Sequence, residues 1–289
     1  MPWTSQTIKP TVNKSHPYAL ALLRTCRLIN QEIGLRWTKW AVFNFESPEA
    51  LLDTLTRSPT AFVAALRHVR VSGEPIMLSL PHNDVYYRLP WTLKLVPNLQ
   101  LDTLTVLGGR ANSSAGGSAQ VDYTTVDEMI TYGTGWRELH YITPDSSMLS
   151  FPKTERFGQT YLRKPQPQTW NLALSKRDGL ESACSVTIHR STAISGHLHL
   201  SHGEQGAFEQ TVAPEDLENY ALLEDSFLAD LRDNHKAILV VVKRGRNADI
   251  MEEILHPPYN QEFDLRALSS NMTWPEIQEN FTEGGIYED

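Results

Sequence analysis

Three short segments of the chain share one alternating pattern and begin at residues 66, 101 and 136, two equal steps of 35. In each segment apolar residues alternate with polar ones, the pattern of a β-strand that buries one of its faces. Helix-compatible stretches precede the segments, at 60–65, 90–96 and 125–132. A helix-plus-strand unit that recurs at a fixed period is typical of solenoid proteins. The aligned apolar residues are Val69, Leu104 and Leu139, followed by Val71, Val106 and Tyr141.

The repeat predicts an α/β fold: an irregular leucine-rich-repeat-like array with a largely parallel sheet flanked by helices. Its period exceeds the ~20–29 residues of a regular leucine-rich repeat, and the asparagine ladder of such repeats does not occur. We expect the strands near residues 43, 69, 104 and 139 to lie side by side and parallel, with their helices on one face of the sheet. Chance similarity between generic strands is the competing explanation of the pattern.

Composition and pattern divide the chain into four segments. Residues 1–17 contain three prolines and lack hydrophobic periodicity, which favours a flexible N-terminal segment. Residues 18–144 hold the predicted α/β repeat region. Residues 145–248 are predicted to form a C-terminal βαβ extension of the same domain, a parallel crossover between strands near 186 and 240 that extends the sheet. Residues 249–289 form an acidic C-terminal segment.

Apolar positions with strand or helix spacing predict the core, and Ser47-Pro48 predicts a helix start with Ser47 as the N-cap. Stretches rich in Gly, Ser and Pro, at 1–15, 110–120 and 200–212, should be the least ordered. The residues expected to be largely buried are Leu22, Cys26, Ile29, Phe43, Phe45, Val69, Val71, Leu104, Val106, Leu139, Val186, Ile188 and Val240.

The net charge of −8 is unevenly distributed along the 289 residues. Residues 1–144 carry a net charge of +2 and residues 145–289 a net charge of −10, of which −9 falls within 249–289. This balance argues against a nucleic-acid partner, which requires a basic face. The acidic end is either a solvating tail or a segment that docks on a basic surface.

The chain shows no apolar run as long as the ~18 residues of a membrane span, and its first residues lack the pattern of a signal peptide. Two cysteines exclude a disulfide scaffold. We therefore expect an intracellular protein, cytoplasmic or nuclear, without a membrane partner.

Several stretches resemble a group of filamentous-fungal proteins known as F-box-like proteins or as domains of unknown function. The resemblance covers about residues 18–285 and is carried by Leu22 to Ile29 with Glu32, by Phe43-Asn44-Phe45, by Leu66 to Val71, by Gly135 to Ile142 and by Val241 to Gly245. Members often carry an F-box helix pair ahead of the leucine–cysteine helix, which implies recruitment of a ubiquitin ligase. Here only 17 residues precede Tyr18, and the Leu-Pro-x-Glu opening of an F-box does not occur.

His197, His199 and His202 form an H-x-H-x-x-H run, the main candidate for chemistry. On a strand, His197 and His199 would face the same way, as two ligands of one metal must. No carboxylate at a recognisable spacing completes such a site, and histidines in a Gly-rich polar loop usually face solvent. We therefore expect no metal site, with zinc as the first candidate metal if one exists.

Cys26 and Cys184 occur at apolar positions, where a thiol is normally an inert packing residue.

Lys243 to Arg246 form a short basic cluster, interpreted as a solvated strand end rather than an import signal. Trp37, Trp40, Trp136 and Trp274 are interpreted as residues that fix repeat edges to the core, the alternative being exposed interface anchors.

No phosphate-binding glycine loop, dinucleotide-binding fingerprint, nucleophile elbow or H-E-x-x-H motif occurs. We therefore predict a non-enzymatic protein-interaction module without a cofactor, binding a protein partner through Arg70, Thr105 and His140. These residues align between the apolar columns of the three repeats and so share the opposite sheet face. The alternatives are a substrate-receptor-like ubiquitin-ligase subunit that has lost its F-box, and an enzyme that uses His197, His199 and His202.

Overall fold

The structure, a computed structural model, describes residues 36–80, 83–109, 117–150, 153–156, 159–162, 166–191, 208–210, 236–252, 265 and 272–282. A 3-10 turn, Arg36–Lys39, comes first. The helices are α1 Pro48–Leu55, α2 Thr60–Ala65, α3 Leu89–Leu93, α4 Gly117–Tyr132, α5 Ser147–Ser150, α6 Gln168–Asp178 and α7 Trp274–Thr282. The strands are β1 Val42–Phe45, β2 His68–Ser72, β3 Ile76–Leu80, β4 Asn83–Tyr87, β5 Leu101–Leu107, β6 Trp136–Thr143, β7 Lys153–Arg156, β8 Gln159–Leu162, β9 Ser185–Ser191, β10 Phe208–Gln210 and β11 Ile238–Lys243.

Seven strands form one sheet in the order β1-β2-β5-β6-β11-β9-β10. The first four are parallel neighbours, which confirms the side-by-side arrangement predicted from the repeat. The register also confirms the aligned columns, because Val69 pairs with Leu104, and Leu104 with Leu139. Five of the seven strands run in one direction, so the fold is α/β with a largely parallel sheet.

The predicted parallel βαβ crossover in the C-terminal half is wrong. Strand β11 lies between β6 and β9 and is antiparallel to both, although both β9 and β11 extend the sheet as expected. Ile238, at the start of β11, pairs with Arg190, near the end of β9. The end of β9 and the start of β11 therefore lie at the same end of the sheet, whereas β10, on the other side of β9, runs parallel to β11. The long helix predicted after Pro214 falls outside the described residues.

The repeated segments bury three residues each, at their first, fourth and sixth positions, in the patterns Leu-x-x-Val-x-Val, Leu-x-x-Leu-x-Val and Trp-x-x-Leu-x-Tyr. Between the first and second buried residue of β5 the strand bulges, because the N–H groups of Asp102 and Thr103 both reach the carbonyl of Arg67, at 2.8 and 3.0 Å. A bulge places one extra residue on a strand, so Leu101 and Leu104 can share a face despite their odd spacing. The nine buried residues, none more than 1% exposed, are Leu66, Val69, Val71, Leu101, Leu104, Val106, Trp136, Leu139 and Tyr141.

The described helices that pack on this sheet do so on one face. Buried residues of α1, α2, α3, α4, α6 and α7 belong to the same core cluster as the apolar columns of the strands. Hairpin β3–β4 adds Ile76 and Leu78 to that cluster. Helix α1 begins as predicted, with the Ala50 N–H donating to Ser47 Oγ over 3.2 Å and Pro48 in the first turn.

Most of the predicted core lies where the sequence placed it. Val69, Val71, Leu104, Val106, Leu139, Val186, Ile188 and Val240 are buried. Phe43 and Phe45 are only half-buried, because β1 pairs with a single strand among those described. Leu22, Cys26 and Ile29 lie outside the described residues.

The last four residues of the Gly/Ser-rich stretch 110–120, which was expected to lack order, belong to a helix. Helix α4 begins at Gly117, eight residues before the predicted start at 125. Thr124 and Thr125 continue it by donating their hydroxyls to the carbonyls of Gln120 and Val121, both at 2.7 Å. The other stretches expected to lack order, 1–15 and 200–212, fall outside the description except for the three residues of β10. In the described part of the chain, no helix has the length and apolar character needed to cross a membrane.

Candidate interaction surface on the open face of the sheet

Arg70, Thr105 and His140 form one row across the sheet, as the sequence predicted. They pair in register on β2, β5 and β6, and the row continues through Val241 on β11 and Thr187 on β9. We call the sheet face that carries this row the open face, because the described helices pack on the other face. Arg70, Thr105 and His140 are all half-buried. The structure thus brings the three predicted partner-binding residues together on one rigid surface.

A second row of the open face carries its most exposed charges. Glu138 pairs with Lys243 in the register between β6 and β11, and their side chains are 31% and 58% exposed. Glu138 Oε1 lies 2.8 Å from His140 Nε2 and 3.8 Å from Lys243 Nζ. The hydrogen bond from His140 lowers the pKa of Glu138 more than burial raises it, and Lys243 adds to the lowering. Glu138 is therefore ionised at neutral pH, held between an imidazole and an ammonium group.

His189 adds another imidazole to the open face, beside that of His140. Its Nε2 lies 3.1 Å from the Thr187 hydroxyl. Burial lowers the pKa of His189, and the neighbouring His140 and Lys243 lower it further. His189 is therefore neutral at pH 7, and its imidazole can both donate and accept a hydrogen bond.

The start of β11 gives the open face an apolar part. Leu239 and Val241 are 7% and 9% exposed and form a cluster with Ala237, against which Ile142 packs. Lys243, at the other end of the same strand, is the most exposed of these side chains. The surface therefore grades from apolar and buried to charged and accessible along one strand.

This arrangement is suited to recognition. Two cations, Arg70 and Lys243, and one ionised carboxylate, Glu138, lie on a rigid sheet beside imidazole and hydroxyl groups. Within the described ranges, no group of three His, Cys, Asp or Glu side chains could hold a metal ion. Charged and hydrogen-bonding groups fixed on a sheet can orient a polar segment of another protein.

The histidine and cysteine residues that the sequence suggested as candidates for chemistry are not among the described residues of the open face. His197, His199, His202 and Cys26 lie outside the described residues. Cys184 is half-buried and packs against the core, with its Sγ 3.5 Å from Ser175 Oγ.

The prediction that Lys243 to Arg246 form a solvated strand end is wrong for Arg244. Its side chain is 3% exposed and pairs with fully buried Asp178, from Nε to both carboxylate oxygens at 2.9 Å and from Nη2 to Oδ1 at 2.8 Å. The Arg244 guanidinium also lies 5.6 Å from the ring centre of Trp136. The partner is 66 residues away in the chain, so no local pattern could identify it.

The interpretation that all four tryptophans fix repeat edges to the core is wrong for Trp40. Trp136 and Trp274 are buried and Trp37 is half-buried, but Trp40 is 86% exposed. Trp274 Nε1 donates to Asp53 Oδ1 over 2.9 Å and so joins α7 to α1.

The buried carboxylate of Asp122, at the carboxyl ends of β5 and β6, is not predicted by any pattern in the sequence. The Tyr141 hydroxyl donates to it over 2.6 Å, and the Gly109 N–H lies 3.1 and 3.0 Å from its two oxygens. Burial raises the pKa of Asp122 to about 6, against the lowering effect of these hydrogen bonds. Tyr141 aligns with the apolar residues Val71 and Val106. Its hydroxyl group, which needs a hydrogen-bond partner when buried, is the one sequence feature that indicates a polar group nearby.

Comparison with protein-family models, with curated proteins and with solved structures gives no match to this chain. Its function therefore has to be inferred from its own residues.

Proposed function

We propose that this protein is a non-enzymatic interaction module that binds a protein partner on the open face, through Arg70, Thr105 and His140. The observation that carries the proposal is the register of these three residues on adjacent parallel strands, on the face opposite the described helices. Strand pairing fixes the backbone of these residues and so their relative spacing, which spares the cost of ordering the main chain on binding.

The fold supports the same proposal. We regard the array as an irregular leucine-rich-repeat-like solenoid, because segments with apolar residues at the first, fourth and sixth positions begin at 66, 101 and 136 and stack in register. Solenoids build extended binding surfaces from equivalent positions of successive repeats. Arg70, Thr105 and His140 are such equivalent positions.

The charge of the surface indicates which partner groups suit it. Arg70 and Lys243 favour an acidic or hydrogen-bonding partner segment, and Glu138 would repel a second carboxylate placed beside it. The half-buried imidazoles and Thr105 supply directional contacts between these charges.

Site-specific photocrosslinking tests the proposal. A photoreactive residue is placed at Lys243 on the open face or at Arg57, exposed beside α1, as the matched control. In extract of the native cell, a partner should be crosslinked from position 243 and not from position 57. The purified partner should then bind the Arg70→Glu and Lys243→Glu variants at least about tenfold more weakly, a loss of about 1.4 kcal/mol.

Arg57→Glu gives the control for the charge change, and the unfolding midpoint of each variant checks the fold. Lys243→Glu is the decisive variant if Arg70→Glu lowers stability, because Lys243 is well exposed. Crosslinking from position 57 alone, or equal affinity of all variants, would show that the open face is not the binding surface.

A further inference from the structure

In the part of the chain that the structure describes, one edge of the sheet lacks the usual protection. Among the described residues, β1 (Val42–Phe45) pairs only with β2, and β10 (Phe208–Gln210) pairs only with β9. Natural sheets protect such edges with charges, prolines or very short strands. Strand β10 has three residues and contains Glu209, whereas β1 has the sequence Val-Phe-Asn-Phe, without charge or proline.

An exposed tryptophan stands at the start of this edge on a fixed turn. Trp40 is 86% exposed and follows the 3-10 turn directly. Thr38 is fully buried and donates its hydroxyl to the Ala65 carbonyl over 2.9 Å, and the rings of Trp37 and Phe43 lie 5.7 Å apart. The turn is thus held to both α2 and β1, so Trp40 is presented by an anchored segment. Exposed, pre-organised tryptophans are frequent energetic centres of interfaces.

The charges of the turn that precedes Trp40 are of one sign. Arg36 and Lys39 are exposed on the same turn, which contains no acidic residue. The chain as a whole carries a net charge of −8, so this basic turn is a local feature. It complements an acidic segment, which the rest of the protein would tend to repel.

We propose that the β1 edge binds an extended acidic peptide segment of a partner protein by strand addition. The backbone of the segment pairs with Val42–Phe45, an apolar side chain packs on Trp40, and acidic side chains face Arg36 and Lys39. In this mode main-chain hydrogen bonds provide affinity and the flanking side chains provide selectivity. The surface is separate from the open face, so the proposal goes beyond the function proposed above.

The test uses a phage-displayed library of random twelve-residue peptides selected on the full-length protein. Selected peptides should be enriched in Asp and Glu and should carry at least one large apolar residue. The synthetic form of the most enriched peptide should bind Trp40→Ala at least tenfold more weakly, as expected for an interface centre. It should also bind Arg36→Glu and Lys39→Glu more weakly, with an affinity that falls as salt rises. Hydrogen exchange of the amides of Val42–Phe45 should slow in the complex.

Leu172→Ala and Lys243→Glu are the matched controls, and both should leave peptide affinity unchanged. Leu172 is 66% exposed on α6, and Lys243 belongs to the open face, so failure of one proposed surface can be told from failure of the other. An absence of enriched peptides, undiminished binding by Trp40→Ala, or slowed exchange elsewhere but not in β1 would each overturn the proposal. So would a concentration-dependent dimer in sedimentation velocity that Trp40→Ala abolishes, because a second copy would then occupy this edge.

Discussion

The Tyr141 hydroxyl donates a hydrogen bond of 2.6 Å to Asp122, and both side chains are almost inaccessible, at 0% and 5% exposed. Tyr141 lies on β6 and Asp122 on α4, while the Gly109 N–H that reaches the same carboxylate follows β5. One buried carboxyl group therefore joins the helix of a repeat to the ends of two neighbouring strands. Such a group is costly to ionise, because burial removes the water that would stabilise its charge.

Asp122→Asn should flatten the dependence of stability on pH. The pKa of Asp122 is raised from 3.8 to about 6, so the folded protein binds this proton more tightly than the unfolded chain does. The resulting stabilisation is complete below pH 3.8 and is lost as pH rises through about 6. Its full size is about 3 kcal/mol, since a tenfold change in proton affinity is worth about 1.4 kcal/mol.

Urea unfolding at several pH values between 4 and 7 measures this effect as the difference between the wild-type and Asp122→Asn proteins. Asp102→Asn is the control, because Asp102 is exposed on β5. Its free energy of unfolding should follow the wild-type pH profile. Equal pH slopes for wild-type and Asp122→Asn would show that Asp122 titrates at its ordinary pKa.

Asp178→Ala should destabilise the protein by about 3–5 kcal/mol, the cost of leaving a buried charge without its partner. The Arg244 guanidinium and the Gly245 N–H both donate to Asp178, whose side chain is fully buried. A double variant, Asp178→Leu with Arg244→Met, should recover part of this loss, because it removes both charges of the buried pair instead of leaving one of them unpaired.

Lys243→Met tests the contrast with an accessible ion pair. Lys243 Nζ lies 3.8 Å from Glu138 Oε1 and is well exposed, so its removal should cost less than about 1 kcal/mol. Guanidinium unfolding of all three variants measures these differences. A loss of the same size for Asp178→Ala and Lys243→Met would contradict the interpretation of the buried pair.

The alternating pattern was enough to predict the centre of the sheet. Period-2 alternation decides which strand face is buried, and the equal spacing of 35 residues placed Val69, Leu104 and Leu139 in register. The position of Arg70, Thr105 and His140 in one row follows from the same alternation. Ser47 was found as a helix cap because capping is a local interaction.

The parts that sequence analysis missed depend on contacts between distant residues. An apolar run such as Ala237 to Val242 shows that a strand is buried on both faces but does not give its direction, so β11 was wrongly expected to be parallel to β9. Arg244 resembled a surface residue because its partner Asp178 lies in another element. The raised pKa of Asp122 likewise arises from tertiary burial, which composition does not reveal.

Gly135→Ala should destabilise the protein more than Gly179→Ala does. Both glycines have positive φ values, +82° and +96°, which strain any L-residue by roughly 1–3 kcal/mol. At Gly135 an added Cβ would also lie 2.8 Å from the Leu99 carbonyl oxygen, whereas at Gly179 no atom lies within 4 Å of it. The clash with the Leu99 carbonyl therefore predicts the larger loss of unfolding free energy at Gly135, and equal losses would show that the backbone before β6 can shift to relieve it.

Leu104→Ala should cost about 2–5 kcal/mol, because its side chain lies fully buried at the middle of the parallel part of the sheet. Leu104 pairs in register with Val69 on one side and Leu139 on the other, so the cavity left by truncation is bounded by two neighbouring strands that hydrogen bonds hold in place. Strands held in this way cannot easily move inward to close the cavity, which places the cost in the upper part of the range. Leu180→Ala is the matched control: Leu180 is 89% exposed and its truncation should change stability by less than about 0.5 kcal/mol. Urea unfolding at one pH gives both values, and a loss below about 0.5 kcal/mol for Leu104→Ala would mean that the aligned column is not the core of the repeat.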